Sequence, residues 1–345
     1  MAINRINLCS DTVTKPTPGM RRAMAEAEVG EEKKRNDPTV NRLIERIKQL
    51  LGVEDAFFLP TATMANQIAF AVHSRGGDDL IGHRLSHPFN CETGAMAFMS
   101  RMMLRAIDGE RGMFTPEALE AAIESSSGRV ALVENTTNLG GGAVWPIEQT
   151  RAVVAVARRH GLACHLDGSR LMNAVVASGV AASEYASQFD TVTLCFSKGL
   201  GAPVGAMLAG RHDLIEAGWR FKHMFGGAMR QAGILAAAAL YALDHHVERL
   251  AEDHANARRL AEGIADLPGI RLDPARVETN IIVFDVDPCH MAAADVIARM
   301  AEAGVDFYPM PWVGPQTFRL VTHLDVTAEM IEEAIGRFRA VFGAR

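Results

Sequence analysis

The sequence predicts an α/β protein with a mostly parallel sheet, because three observations agree. Short apolar or β-branched runs alternate with helical patterns before about residue 250, which is typical of parallel strands covered by helices. One of these runs, residues 56–59, breaks at Pro60 into a turn of small residues and a helix. Two others end at Asp167 and just before Lys198, and active sites of open α/β sheets lie at such strand ends.

The elements of the large domain follow from these patterns in chain order. Thr17-Pro18 and Asp37-Pro38 are helix start signals, since Thr and Asp cap a helix and proline suits its first position. Strands are predicted at residues 56–59, 79–81, 102–106, 129–134, 163–166, 191–196 and 206–209, and further helices at residues 64–73, 116–123, 146–160 and 231–243.

A second, smaller α+β domain is predicted at the C-terminal end. There the pattern restarts with helices at residues 246–264, 292–303 and 328–342 and strands at 270–272, 281–286 and 318–322. We therefore expect an N-terminal arm (residues 1–15), a large domain (16–249) and a small domain (250–345). No internal repeat or low-complexity linker interrupts this order.

Composition narrows the class of protein. The 345 residues are 48% hydrophobic and 22% charged, with a net charge of -6, so no nucleic-acid or membrane partner is expected. Five dispersed cysteines without a CxxC pair favour reduced thiols over disulfides or a zinc site. The start shows no basic segment followed by an apolar core, and the longest apolar run is too short to span a bilayer. These features predict a cytoplasmic enzyme or binding protein.

Lys198 follows a buried strand directly and is a candidate for Schiff-base chemistry, because a partly desolvated amine can act as a nucleophile. Most lysines are surface residues, so the tripeptide Ser197-Lys198-Gly199 alone favours that simpler interpretation. Asp167 ends another buried strand, and an ionised carboxylate there needs a partner. That partner could simply be Arg170, three residues further along.

Together these features predict a pyridoxal 5'-phosphate site. This cofactor needs an anion site, a carboxylate at its ring nitrogen and a lysine for the imine. The turn at Ala62 and Thr63, at a helix N-terminus, supplies the anion site, and Asp167 and Lys198 supply the other two groups. Neither GxxxxGK[ST] nor GxGxxG follows a strand, which argues against a P-loop or dinucleotide-binding protein.

The motifs then resemble the threonine aldolase family, the aldolase and β-eliminating lyase branch of the aspartate-aminotransferase-like, fold type I enzymes. The matching stretches occur in family order over almost the whole chain. They are residues 10–17, 37–41, 63–66, 134–136, Asp167-Gly168, Arg170, 194–205, 229–231 and 319–326.

The resemblance implies a role for each site residue. Lys198 would bind the cofactor covalently, Asp167 would pair with its ring nitrogen, and His87 would stack on its ring and act as the base. The phosphate would lie at Ala62 and Thr63, with Arg230 reaching it from a neighbouring subunit. Arg170, Ser10 and Arg319 would bind the carboxylate of a small amino acid substrate, near Thr137.

The reaction implied is retro-aldol cleavage of a β-hydroxy-α-amino acid, such as L-threonine or L-allo-threonine, to glycine and an aldehyde. The alternative is a β-eliminating lyase, or another enzyme acting at Cα–Cβ or Cα–H, with an altered side-chain preference. A non-catalytic cofactor-binding protein and a cofactor-free scaffold are more remote possibilities. The resemblance also implies a homo-oligomer, with active sites at a dimer interface within a tetramer.

Several residues depart from the family pattern near the expected site. Lys34 occupies the position of a family tyrosine, and Thr137 that of a histidine thought to contact the substrate hydroxyl. Ala62 and Ala228 replace glycines, His223 replaces a lysine, and the segment after His87 is less aromatic. These changes suggest an altered substrate, although neutral drift explains them equally well.

The remaining histidines do not predict a metal site. His83, His165 and the pair His245-His246 lack carboxylate and cysteine partners at ligand spacing, so they are interpreted as core or helix-end residues. The methionines of residues 96–103 are interpreted as core or interface packing.

Overall fold

The structure is a computed structural model that describes residues 4–343. The first three residues of the expected arm and the last two of the expected small domain lie outside this range. In chain order the strands are β1 (Ile6–Asn7), β2 (Asp55–Leu59), β3 (Asp79–His83), β4 (Met103–Ile107), β5 (Gly128–Glu134), β6 (Ala163–Gly168), β7 (Thr191–Cys195), β8 (Ala206–Gly210), β9 (Ile270–Arg271), β10 (Ile281–Val286), β11 (Val305–Asp306), β12 (Tyr308–Pro309) and β13 (Thr317–Val321).

Helices connect most of these strands. They are α1 (Pro18–Ala25), α2 (Pro38–Leu51), α3 (Ala62–His73), α4 (His87–Asn90), α5 (Pro116–Glu124), α6 (Ile147–Arg159), α7 (Leu171–Ser178), α8 (Ala182–Ala186), α9 (His212–Met224), α10 (Gly233–His245), α11 (Leu250–Ile264), α12 (Ala293–Glu302) and α13 (Ala328–Gly343). Thr17 and Asp37 cap α1 and α2 with their side chains, as their sequence signals indicate.

A seven-stranded sheet with the order β2-β8-β7-β6-β5-β3-β4 forms the centre of the fold. Strands β3 to β7 are parallel, whereas β8 runs antiparallel to both β7 and β2. The register places Glu134 beside Asp167 and Asp167 beside Thr193. The predicted fold class, with its mostly parallel sheet, is therefore confirmed.

Both faces of this sheet are buried, as β2 illustrates. Ala56 and Phe58 pack into the larger core, while Phe57 and Leu59 belong to a separate cluster with residues of α3 and α9. Because side chains alternate across a strand, a continuous apolar run in a covered sheet fills two cores.

A four-stranded antiparallel sheet, β12-β13-β10-β9, lies in the C-terminal part of the chain. Its core includes residues of α11, α12 and α13, and also Ile6 and Leu8 from the N-terminus. The N-terminal segment is thus attached to this core, and β1 pairs with β11. The domain boundaries themselves stay a prediction.

The structure differs from the predicted elements in a few places. Helices α7, α8 and α9 were not predicted, and α11 begins at Leu250, because residues 246–249 form a turn. No helix among residues 4–343 is long and apolar enough to cross a membrane.

Candidate active site

Lys198 lies in a tight turn directly after β7. Gly201 donates its backbone N–H to the Lys198 carbonyl at 2.9 Å, and its φ of +77° is one that glycine adopts without strain. Lys198 borders a cavity of about 500 Å³ that is also lined by Ser10, His87, Arg170 and Arg319. Five residues predicted from separate parts of the sequence are therefore brought to one space.

Asp167 is fully buried at the end of β6. One of its oxygens accepts a hydrogen bond from the Asn66 amide at 2.9 Å, and the other accepts one from the Ser169 backbone N–H at 3.1 Å. Burial raises the pKa of Asp167, but the charges of Lys198 and His87 outweigh it and hold the pKa below its usual value.

The possibility that Asp167 simply pairs with Arg170 is excluded, because Arg170 forms a two-pronged ion pair with Asp11. Its Nε and Nη2 atoms each lie 2.7 Å from an Asp11 oxygen. Among residues 4–343, no lysine or arginine nitrogen lies within 4.0 Å of Asp167. A buried, ionised carboxylate without a direct cationic partner fits a protonated ring nitrogen.

The N-terminus of α3 fits a phosphate group. The first N–H groups of a helix have no acceptor within it, and the Thr61 hydroxyl caps Met64 at 3.1 Å, leaving those of Ala62 and Thr63. Asn66, about one helical turn further on, contacts Asp167. Ala62 and Thr63 themselves do not line the cavity.

His87 begins α4, and its ring is held by a residue that sequence reasoning missed. The Nδ1 atom of His87 lies 3.0 Å from an oxygen of Glu92, which is buried. Because a carboxylate accepts hydrogen bonds, Nδ1 carries a proton, so Nε2 is the ring nitrogen that is able to accept one. The available signal was the spacing of five residues between His87 and Glu92, in the segment noted above for having fewer aromatic residues than the family.

Glu134 supports the same histidine through the backbone. It accepts hydrogen bonds from the backbone N–H groups of His87 and, at 2.6 Å, of Asn138. Burial, and then the charge of Asp167, raises the pKa of Glu134 to about 6. Glu134 thus fixes the loop after β5 against the turn that carries His87.

Arg319 is the arginine that remains open to a carboxylate. Its Nη1 donates to Asn138 at 2.7 Å and its Nη2 to the Cys9 carbonyl at 3.2 Å, while its Nε is buried without a partner in residues 4–343. Burial and the nearby Arg170 charge lower the pKa of Arg319. Arg170, by contrast, already binds Asp11.

Thr137 does not line the cavity. Its hydroxyl accepts the backbone N–H of Ala143 at 3.1 Å within a tight loop, and the residue is buried. Asn138, the next residue, reaches the cavity instead. The contact of Thr137 with the substrate stays a prediction.

Three further predicted or divergent residues also lie elsewhere. The side chain of Arg230 is 58% exposed, and its nearest acidic partner is Glu31 at 3.9 Å. Lys34 and His223 do not line the cavity either. A contact of Arg230 with a neighbouring subunit stays a prediction.

Residues 308–312 also line the cavity, and sequence reasoning missed them. Tyr308 and Trp312 are about half exposed, at 52% and 57%. No motif marks this segment, which only the packing of β12 and β13 brings over the cavity.

Among residues 4–343, two groups of side chains have the spacing of metal ligands. One is His87, Glu92 and Asp167, and the other is Asp55, His212 and Glu216; in each, the ligand atoms lie within 4.8 Å of one another. In the first group the Asn66 amide already bridges Glu92 and Asp167.

Known proteins resemble this chain over nearly its whole length. A family model described as beta-eliminating lyase matches residues 7–287. The chain is 38% identical to the "Probable low-specificity L-threonine aldolase 2" of Arabidopsis thaliana, over 99% of this chain and 98% of that protein. It is 37% identical to the "Low specificity L-threonine aldolase" of Escherichia coli K12, over 97% of this chain and 98% of that protein. The chain therefore belongs to the β-eliminating lyase family, a class of pyridoxal-phosphate-dependent lyases.

Within that class, the two relatives above carry the name of low-specificity L-threonine aldolases. Solved structures agree on the fold: a threonine aldolase from Leishmania major superposes with a TM-score of 0.83 at 20% identity, covering 97% of this chain and 99% of that one. A Thermus thermophilus aspartate aminotransferase reaches 0.77 at 17% identity, covering 98% and 92%. The aspartate-aminotransferase-like fold and the cofactor class expected from the sequence are thus confirmed.

Proposed function

We propose that this protein cleaves L-threonine, L-allo-threonine or a related 3-hydroxy amino acid to glycine and an aldehyde. The observation that carries the proposal is the cavity shared by Lys198, His87 and Arg319. The names of the relatives that are 37% and 38% identical support the same reaction.

The cofactor site uses this chain's own groups. Lys198 would hold pyridoxal 5'-phosphate covalently, Asp167 would pair with its ring nitrogen, and the N-terminus of α3 at Ala62 and Thr63 would bind its phosphate. When bound, pyridoxal phosphate accepts the electron pair of the bond that breaks.

The substrate is bound by its carboxylate and activated at its hydroxyl. Arg319, together with Ser10, binds the carboxylate, because a guanidinium can donate two parallel hydrogen bonds to it. Arg170 is fixed by Asp11 and sets the position of Asn138, which also contacts Arg319. His87 removes the β-hydroxyl proton at Nε2, since Glu92 holds the other nitrogen.

The test is a product assay combined with a cofactor assay. We expect purified protein with L-threonine to release glycine and acetaldehyde, and to show a visible absorbance band that borohydride removes. Lys198→Ala should abolish both, while Lys48→Ala, which alters a surface lysine paired with Glu45, should change neither. A keto acid and ammonia as products would instead favour the β-eliminating alternative, and absence of the band would contradict the cofactor assignment.

We also propose that the protein is a homo-oligomer with active sites between subunits, assembled as a tetramer. The exposed Arg230, lying away from the cavity of its own chain, supports this arrangement. Two apolar residues close to Arg230 in the sequence are also exposed, Met224 to 62% and Ile234 to 44%, and they support the same assembly.

We propose a cytoplasmic location because of the state of the cysteines. All five are free thiols in the structure, as expected for a reducing compartment.

A further inference from the structure

A chain of buried polar side chains leads from the end of α3 to Asp167. The chain comprises His73, Thr191, His165 and Asn66, which are at most 8% exposed. Its links are His73 Nε2 to Thr191 Oγ1 at 3.1 Å, Thr191 Oγ1 to His165 Nδ1 at 2.9 Å, and His165 Nε2 to Asn66 Oδ1 at 3.2 Å. None of these residues except Asn66 touches a group assigned to the reaction.

The strand geometry explains why these residues meet. His165 and Asp167 are two residues apart on β6, so both side chains lie on the same face of the sheet. His165 is paired in register with Thr191 on β7. Helix α3 packs on this face and contributes Asn66 and His73, two turns apart.

The orientation of the Asn66 amide is fixed by its two acidic neighbours. The amide nitrogen, Nδ2, lies 3.0 Å from a carboxylate oxygen of Glu92 and 2.9 Å from one of Asp167. Carboxylates accept hydrogen bonds, so the amide nitrogen must face them and the amide oxygen must face His165.

The remaining hydrogen positions then follow one after another. His165 must carry its proton on Nε2 to donate to the Asn66 oxygen, so its Nδ1 accepts. The Thr191 hydroxyl must donate to that nitrogen, which leaves its oxygen to accept from His73, again protonated on Nε2. Burial lowers the pKa of His165 to about 3 and that of His73 to about 4, so each ring is neutral and carries a single proton.

Every donor in this chain therefore directs its hydrogen toward Asp167 and Glu92. We propose that His165 and Thr191 are positioning residues that lock the Asn66 amide and thereby keep Asp167 ionised for the cofactor. If the chain were reversed, the amide oxygen of Asn66 would face the oxygens of two buried carboxylates, and three acceptors would meet without a hydrogen between them. Since Asp167 serves the cofactor, this inference rests on the proposed function.

The matched variants are Thr191→Val and Thr191→Ser. Valine has nearly the shape of threonine but neither donates nor accepts, whereas serine keeps the hydroxyl. We expect Thr191→Val to weaken pyridoxal phosphate binding, measured by visible absorbance, by about tenfold, because it removes the hydrogen bonds of the hydroxyl to His73 and His165. Thr191→Ser should restore binding to within about threefold of the wild-type value, because its hydroxyl can make the same two bonds.

A second measurement reads the hydrogen positions directly. In the full-length protein labelled with 15N-histidine, NMR near neutral pH should show His73 and His165 both protonated on Nε2. Their signals are identified by their loss in His73→Gln and His165→Gln. This result can be obtained with or without bound cofactor, and it needs no Thr191 variant to fold.

The outcomes separate this inference from the proposed function. Wild-type protein that binds no pyridoxal phosphate would overturn the proposed function. The tautomers of His73 and His165, measured by NMR, would still test the chain of buried polar side chains. Equal cofactor affinities of the valine and serine variants would overturn the inference, as would either histidine protonated on Nδ1. The inference would also be overturned if the melting temperature fell equally in both variants while the cofactor affinity stayed unchanged. Thr191 would then contribute only to packing.

Discussion

At the residue scale, the buried Nε of Arg319 has no partner among residues 4–343, and this makes Arg319 the best probe of substrate binding. Arg319→Lys keeps the charge but cannot donate two parallel hydrogen bonds. We expect KM for L-threonine to rise about tenfold or more, as for loss of a charge-assisted hydrogen bond, with a smaller change in kcat. Arg259→Lys, at an exposed ion pair with Glu332, is the control, and an unchanged KM in Arg319→Lys would contradict the assignment.

The buried pair of Asp11 and Arg170 makes a prediction about stability and pH. Arg170 and Lys198 outweigh burial and hold the pKa of Asp11 far below its usual value. The stabilisation by ionised Asp11 is therefore complete above the pKa of an unfolded aspartate and is lost as the pH falls below it. Asp11→Asn should lower the free energy of unfolding at neutral pH by about 3–5 kcal/mol, because it leaves Arg170 buried and unpaired.

Denaturant unfolding of the cofactor-free protein at neutral and at acidic pH measures this effect. The difference between wild-type and Asp11→Asn protein should shrink as the pH is lowered. Asp213→Asn, at an exposed pair with Arg211, should change little at either pH. A difference that grows in acid would show that Asp11 is not the ionised partner.

At the element scale, the segment of residues 308–312 forms an apolar wall of the cavity that Lys198 and Arg319 also line. An apolar wall favours an apolar β-substituent, since burying an aromatic or aliphatic group there removes it from water. We expect Trp312→Ala to lower kcat/KM for phenylserine by about tenfold and to affect L-threonine much less. The control is Val313→Ala, at a neighbouring residue that lines a different cavity, and we expect it to have little effect.

A panel of threonine, allo-threonine, phenylserine and hydroxyaspartate completes this test. If hydroxyaspartate were the best substrate, the wall would not govern selectivity. The cationic side chains of Lys34 and Arg35, at the position of the family tyrosine and next to it, would then be the candidates for favouring an acidic substrate. In this structure Arg35 instead stacks over Trp219 at 4.4 Å and binds Glu216. That arrangement fits a structural role within the chain.

Most elements could be predicted because their signals are local. Capped starts such as Thr17-Pro18, and uninterrupted apolar runs such as β7, define helices and buried strands within a few residues. Helix α9 was missed because its first residues, beginning with His212 and Asp213, are polar and give a weak apolar stripe. Its position depends on contacts of Ile215 with Phe57 and neighbouring residues of another segment.

At the scale of the whole molecule, the proposed oligomer predicts complementation between defective subunits. Lys198→Ala and Arg230→Ala should each be nearly inactive alone. If each site takes Lys198 from one subunit and Arg230 from another, mixing the two after mild dissociation should restore activity. About a quarter of the sites would be intact for random pairing in a two-fold dimer.

Sedimentation equilibrium gives the state of assembly independently. A monomer at working concentration would contradict the oligomer. An oligomer without complementation would indicate that Arg230 acts within its own chain or not at all.

The sequence by itself determined the fold class, the cofactor and the positions of Lys198 and Asp167, because a buried strand that ends in a charged residue is a local pattern. The tertiary structure alone decided the partners of those residues. Arg170 binds Asp11, 159 positions away, rather than nearby Asp167, and Asn66 bridges Glu92 and Asp167. Such contacts depend on how helices and strands pack across the sheet, and short-range patterns carry no information about that packing.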